Sequence, residues 1–209
     1  MASRLIPLFP LRVVVFPRTA LPLHIFEERY KEMVGQAMRD DTEFGIVLAK
    51  ENGIVNAGCT VTVEKLIETY SDGRMDILTR GKRRFEIIAL NEEKEYLQAE
   101  VSFFDDEDSA APPAELRAQA MAHYRAMTEL PDSQTRSEAD LADPQLSFQL
   151  AQNLPDLDFL STLLRQRSEA GRLKQLNHYL AEYIPRQRLI ERMKALAPTN
   201  GFGPRPAGL

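Results

Sequence analysis

Arg80, Lys82, Arg83 and Arg84 place four cations within five positions, and Asp105, Asp106, Glu107 and Asp108 place four carboxylates in a row. The cations could meet a phosphate. No aromatic stacking platform is interleaved with them, and pairing with Glu64 and Glu68 across a hairpin is the simpler reading, with anion binding as the alternative. The carboxylates lack the ligand spacing and the glycine bend of a calcium loop, so they read as a solvated linker and no metal site is assigned. Gly81-Lys82 has neither the leading glycine nor the hydroxyl of a phosphate-binding loop, and Gly201-Phe202-Gly203 follows no strand. No serine sits in a G-x-S-x-G elbow, and His24, His123 and His178 are scattered, which leaves a folded triad as a distant third reading. Cys59, the one cysteine, reads as a small packed hydrophobe. No catalytic residue and no cofactor is assigned.

The elements that must position these groups fall into two halves. Pro7, Pro10, Pro17 and Pro22 space the apolar residues of the opening stretch, which predicts short edge or barrel-rim strands with bends between them. From Glu27 to Arg39 the period changes: Tyr30, Met33, Val34, Ala37 and Met38 recur at helical spacing, with Glu28, Arg29, Lys31 and Glu32 on the other side. Glu43 to Lys50 reads as a buried strand. A long hairpin follows, turning at Ser71-Asp72-Gly73, where glycine tolerates positive φ. Gly81 interrupts the return strand and predicts a bulge or bend. Another strand runs through Leu97, Ala99, Val101 and Phe103. After the acidic run the pattern is helical: Pro113 to Met127, then a polar loop "DSQTRSEADLA", then an N-cap and first-turn proline at Asp143-Pro144. Helices carrying Leu157, Leu160 and Leu164, and Leu173 to Met193, follow, with Pro185 expected to kink or split the last. That last region is locally basic, eight cations against five acids between Asp156 and Lys194, and the acidic linker is its nearest complement.

Composition narrows the function classes. The chain has 209 residues, is 44% hydrophobic and 27% charged, and carries a net charge of -5. Its pI is near 5.4. That balance offers no global field for a polyanion, so nucleic acid is not favoured. Arg12, Arg18 and the prolines break the opening apolar run, which argues against a membrane span or a secretion signal. A lone cysteine fits a reducing, cytoplasmic setting.

The runs "IPLFPLRVVVFPRTALPLHIFEERYKEMV", "GCTVTVEKLIETYSDGRMDILTRGKRRFEI" and "LLRQRSEAGRLKQLNHYL" closely resemble the N-terminal, substrate-recognition domain of Lon proteases in its stand-alone bacterial form. The resemblance covers most of residues 5 to 194. It implies an α+β fold: a PUA-like twisted β barrel of about six strands with one helix, followed by a helical bundle. The expected division is 1–110 for the barrel, 111–196 for the helices and 197–209 for a disordered tail. It also implies a non-catalytic module that binds unfolded polypeptide or a specific protein partner, without the ATPase and peptidase modules that full-length Lon enzymes add. The alternative is a small-molecule or RNA-binding module using the barrel face and the Arg80 to Arg84 cluster. Phe9, Phe16 and Phe26 read as core. Phe26, with Glu28, Arg29 and Lys31 on the polar side of the first helix, is also the candidate protein-binding group.

Overall fold

The computed structural model describes residues 4–108, 110–130 and 139–196. The expected tail at 197–209 and most of the polar loop after Leu130 lie outside these residues. Six strands, β1 (Arg4–Leu11), β2 (Ala20–Ile25), β3 (Phe44–Lys50), β4 (Gly53–Thr69), β5 (Met75–Asn91) and β6 (Gln98–Phe104), form one mixed sheet in the order β2-β5-β4-β3-β1-β6. An added β5–β6 pairing closes a ring of hydrogen bonds. Helix α1 (Glu28–Asp40) lies between β2 and β3 in the chain, and α2 (Ala114–Thr128), α3 (Leu146–Ala151), α4 (Leu157–Arg165) and α5 (Glu169–Leu196) follow the strands.

Ring closure depends on strands that change partner. Arg4 to Pro7 pairs antiparallel with β6, while Leu8 to Leu11 pairs parallel with β3. β1 is therefore an interior strand of the ring, which corrects the edge-strand reading. A strand paired on one side at a time can carry Pro7 and Pro10 where their missing N–H groups face the unpaired side. β2 is a true edge, and it carries Pro22. β5 changes partner too: Met75 to Arg80 faces β2, and Arg84 to Asn91 faces β6. Gly81 sits at the change. Its N–H donates to the Thr19 carbonyl at 2.9 Å and its carbonyl accepts from the Arg18 N–H at 2.8 Å, so the segment from Phe16 to Thr19 lies directly against it. A Cβ on Gly81 would fall 2.0 Å from the Phe16 carbonyl oxygen, and only glycine permits that approach.

One buried cluster runs from the barrel into the helices. Phe9, Phe16, Ile25, Phe44, Cys59 and Ile77 share it with α1's Tyr30, Met33, Val34 and Ala37 and with Phe148, Leu163, Leu173, Leu176 and Leu180 from the helical half. The Phe16 and Phe148 rings stack at 4.7 Å across the join. Met38, read as part of α1's apolar face, is exposed.

Charge completes the join. Arg84 and Arg172, whose side chains are 1% and 0% exposed, both reach Asp106 at 2.6 Å. Arg84 also donates to the carbonyls of Leu164 and Gln166, and Arg172 to Glu169 and to the Ser147 hydroxyl. Phe148 packs under both guanidinium groups, at 5.4 and 4.2 Å. Burial alone would raise the Asp106 carboxyl, but the Arg172 hydrogen bond and the charges of Arg172 and Arg84 prevail and hold it at about 2. Asp106 is thus a partly buried anchor and not part of a solvated linker. Arg167 reaches the neighbouring Glu107 at 3.3 Å, so the basic helical region does pair with this acidic run.

Asp143 also differs from its reading as an N-cap. α3 begins at Leu146 with Gln145 in the cap position, while Asp143 accepts from the Gln145 N–H at 2.7 Å and from Arg18 at 2.6 Å. The buried carboxylate of Asp143 is thus held by a half-exposed cation 125 residues away, in the segment between β1 and β2. α5 continues through Pro185 as a single helix and is not split there.

Candidate functional site

β4 and β5 outrun the ring. β3 covers β4 from Gly53 to Val61, and beyond Val61 β4 pairs with β5 alone among the described residues. With β2 on the far side of β5, this end is a three-stranded ribbon. Its register aligns His24 with Asp76 and Asp76 with Glu68, and aligns Ala20 with Arg80 and Arg80 with Thr62. Directly opposed residues share a face, and residues two apart along a strand do so as well. The intervening row, with Ile25 and Ile77 buried, faces the core; His24, Asp76 and Arg80 face outward.

The outer face is aromatic and ionic together. Phe26, at the end of β2, is 60% exposed, contrary to its reading as core, and its ring stacks against His24 at 6.0 Å. His24 Nδ1 lies 2.6 Å from Asp76, and the Tyr70 hydroxyl donates to the other Asp76 oxygen at 2.7 Å. Hydrogen bonds from His24 and from Tyr70 hold the Asp76 carboxyl below its usual range. The same bond to Asp76 pushes the Tyr70 phenol up to about 12. Arg74 lies over the Tyr70 ring at 5.1 Å and pairs with Asp72 at 2.7 Å. Gly73, at φ 81°, makes the tight return between them.

The sequence candidates separate here. Phe26 stands on the ribbon, and Lys31 reaches it from α1 by donating to the Asp72 carbonyl at 2.9 Å. Lys31 is consequently 14% exposed at its side chain, not the free surface cation that its helical position suggested. Glu28 is exposed and accepts from Lys31 at 2.8 Å, while Arg29 turns to Glu27 at 2.7 Å and lies over Tyr30. Arg80 lies on the same outer face, paired with Glu64 at 3.0 Å as the hairpin reading expected. Arg83 pairs with Glu43 and covers Phe103, Lys82 is exposed, and Arg84 is inside the join. The basic cluster is therefore split among four environments and does not form one positive face.

Residues that the sequence reading did not connect are His24, Tyr70, Arg74 and Asp76. Tyr70, Arg74 and Asp76 carried one legible signal, proximity to the Ser71-Asp72-Gly73 turn, whereas His24 reaches them only through the pairing of β2 with β5. His123 lies 3.3 Å from Asn177 and His178 lies 3.5 Å from Glu182, so the histidines occupy three separate places. Cys59 is fully buried, and burial pushes its thiol up to about 12. The groove between α1 and β4, beside Met38 and Leu66, holds about 190 Å³, below the ~300 Å³ at which small ligands are usually enclosed. No helix among the described residues is long and apolar enough to cross a membrane.

A closed mixed barrel with a protruding ribbon and a helical bundle pinned to it by buried arginines defines an α+β domain of the Lon N-terminal type. The chain belongs to the ATP-dependent protease La (LON) substrate-binding domain family, whose family model matches residues 5–194. The crystal structure of a Lon N-terminal domain protein from Xanthomonas campestris matches with a TM-score of 0.67 at 25% identity, covering 83% of this chain and 96% of that one. The N-terminal domain of a Mycobacterium avium complex Lon protease shares the fold, with a TM-score of 0.62 at 15% identity, covering 86% of this chain and all (100%) of that one. Among full-length relatives, Lon protease 2 of Myxococcus xanthus is 27% identical over 68% of this chain, and Lon protease of Parabacteroides distasonis is 29% identical over 48% of it. The matched regions span 19% and 13% of those two proteins.

Proposed function

We propose that this chain is a non-catalytic binding module for unfolded polypeptide, and that the outer face of the β2–β5–β4 ribbon is its contact surface. The observation that carries this reading is Phe26, a largely exposed ring stacked on His24 beside Tyr70, on a face where Arg74 and Arg80 are matched by Asp72 and Glu64. An apolar ring amid balanced charges suits a chain that exposes apolar and polar groups together. Membership of a family described as substrate-binding supports the same reading.

The RNA alternative is weaker on the same observations. Polyanion binding needs uncompensated cations, and Arg80, Arg83 and Arg84 are engaged by Glu64, Glu43 and Asp106. β4 does not suit extended pairing with a client strand either: its register shifts around Glu64 and Ile67, and its edge carries Glu64, Lys65 and Glu68, features that discourage strand addition. Contact through side chains on the ribbon face is the better fit.

Fluorescence anisotropy with labelled, unfolded casein and a labelled single-stranded RNA tests the choice. Casein is expected to bind, Phe26→Ala to weaken it several-fold, and moderate salt to change it little. Binding confined to RNA and lost steeply with salt would favour the alternative instead.

A further inference from the structure

α5 changes character along its length. Leu173, Leu176, Leu180 and Ile184 are buried in the helical half. Beyond Pro185 burial ends: Leu189 is 58%, Ile190 36% and Met193 62% exposed. Spacings of three and four residues align these side chains as one stripe on a helical arm that is about 17 Å long at ~1.5 Å per residue.

The stripe has basic flanks. Arg192, three residues after Leu189, and Lys194, four after Ile190, lie to either side of it, while Arg186, three and four residues before Leu189 and Ile190, stands at its head. Arg188 adds a cation on the opposite side, and Glu191, the single acid of the arm, is paired with Lys194 at 2.7 Å. A basic, amphipathic arm stands on a chain whose net charge is -5.

Charge selects among the possible occupants. Residues 197–209 contain Arg205 and no Asp or Glu, so that segment supplies no carboxylate side chain to complement the arm. The same arm of a second copy would bring like charges together. An anionic lipid surface would attract the arm but repel the acidic remainder of the chain, and the chain has no Trp to anchor at such an interface.

We propose that the α5 arm beyond Pro185 is a docking surface for an acidic amphipathic helix of a partner protein. Leu189, Ile190 and Met193 pack against the partner's apolar stripe, and Arg186 and Arg192 face its carboxylates. This surface is separate from the ribbon around Phe26, so the two proposals stand or fall independently.

The test uses the full chain and a fluorescein-labelled synthetic peptide of about four turns, with Leu at three- and four-residue spacing and Glu on its flanks. A scrambled peptide of the same composition is the control. The amphipathic peptide is expected to bind at least tenfold more tightly than the scramble. Combined Leu189→Glu and Met193→Glu changes should abolish that difference with the melting temperature unchanged, and Phe26→Ala should leave it intact. Equal binding of the two peptides, or binding indifferent to the double change, would overturn the proposal. So would a concentration-dependent dimer in sedimentation, or flotation with phosphatidylglycerol vesicles, that the double change removes while the peptide fails to bind.

Discussion

Asp106 is the residue on which most of the join converges. A carboxyl held at about 2 in place of 3.8 contributes on the order of 2 kcal/mol to folding. Because the folded value is depressed, that contribution is fully present above the unfolded value near 3.8 and is lost as pH falls through about 2. Asp106→Asn removes the charge while keeping the shape, leaving two buried guanidinium groups without this counter-ion, and should cost about 3 kcal/mol or more at neutral pH. Urea melts of both proteins from pH 7 down to pH 2 check this; the gap should be widest at neutral pH and close as the wild-type carboxyl protonates. A second residue-scale test is Gly73→Val. A β-branched side chain at φ 81° is strained, so a loss of roughly 1 kcal/mol or more is expected in thermal melts. An unchanged midpoint would mean the tip of the hairpin tolerates other backbone conformations.

At the scale of elements, the barrel strands, α1 and the long hairpin were legible from the sequence because each has a strong local period or a turn with a specific φ requirement. Val61, Phe85, Ala99 and Val101 alternate inward, and Tyr30, Met33, Val34 and Ala37 follow a helical face. The site was less legible. Alternation tells which face of β5 Arg84 occupies, but not that Gln166 and Arg172, some 80 residues later, will bury that face. Phe26 illustrates the converse: an aromatic beside a buried isoleucine reads as core, yet the ribbon extends beyond the elements that would have covered it. Strand partnering, which is non-local, decided both cases. The same non-locality suggests that the helices depend on the barrel. A fragment of residues 112–196 lacks Phe16, Arg84 and Asp106, leaving Phe148 and Arg172 without their barrel-side partners. Circular dichroism and sedimentation should find it less helical than in the full chain, or self-associating. A cooperative, soluble monomer would mean that the helices fold as an independent domain.

For the whole molecule, the arrangement separates rigid from available parts. Phe148, Arg84, Arg172 and Asp106 bind barrel to helices through groups with little exposure, and such networks resist rearrangement because each unpaired member is costly. The ribbon and the α5 arm project from that body with their apolar side chains uncovered, Phe26 on one and Leu189 and Met193 on the other. The ribbon is the surface proposed to hold an unfolded polypeptide, and the arm is the separate surface proposed to dock a partner helix. The most direct test is a set of amide chemical-shift changes recorded on titrating the full chain with unfolded casein. Perturbations are expected at His24, Phe26, Tyr70, Arg74 and Asp76, with Lys82 and Arg83 unmoved. Perturbations centred on Lys82 and Arg83 with the ribbon silent, or none at saturating casein, would contradict that expectation.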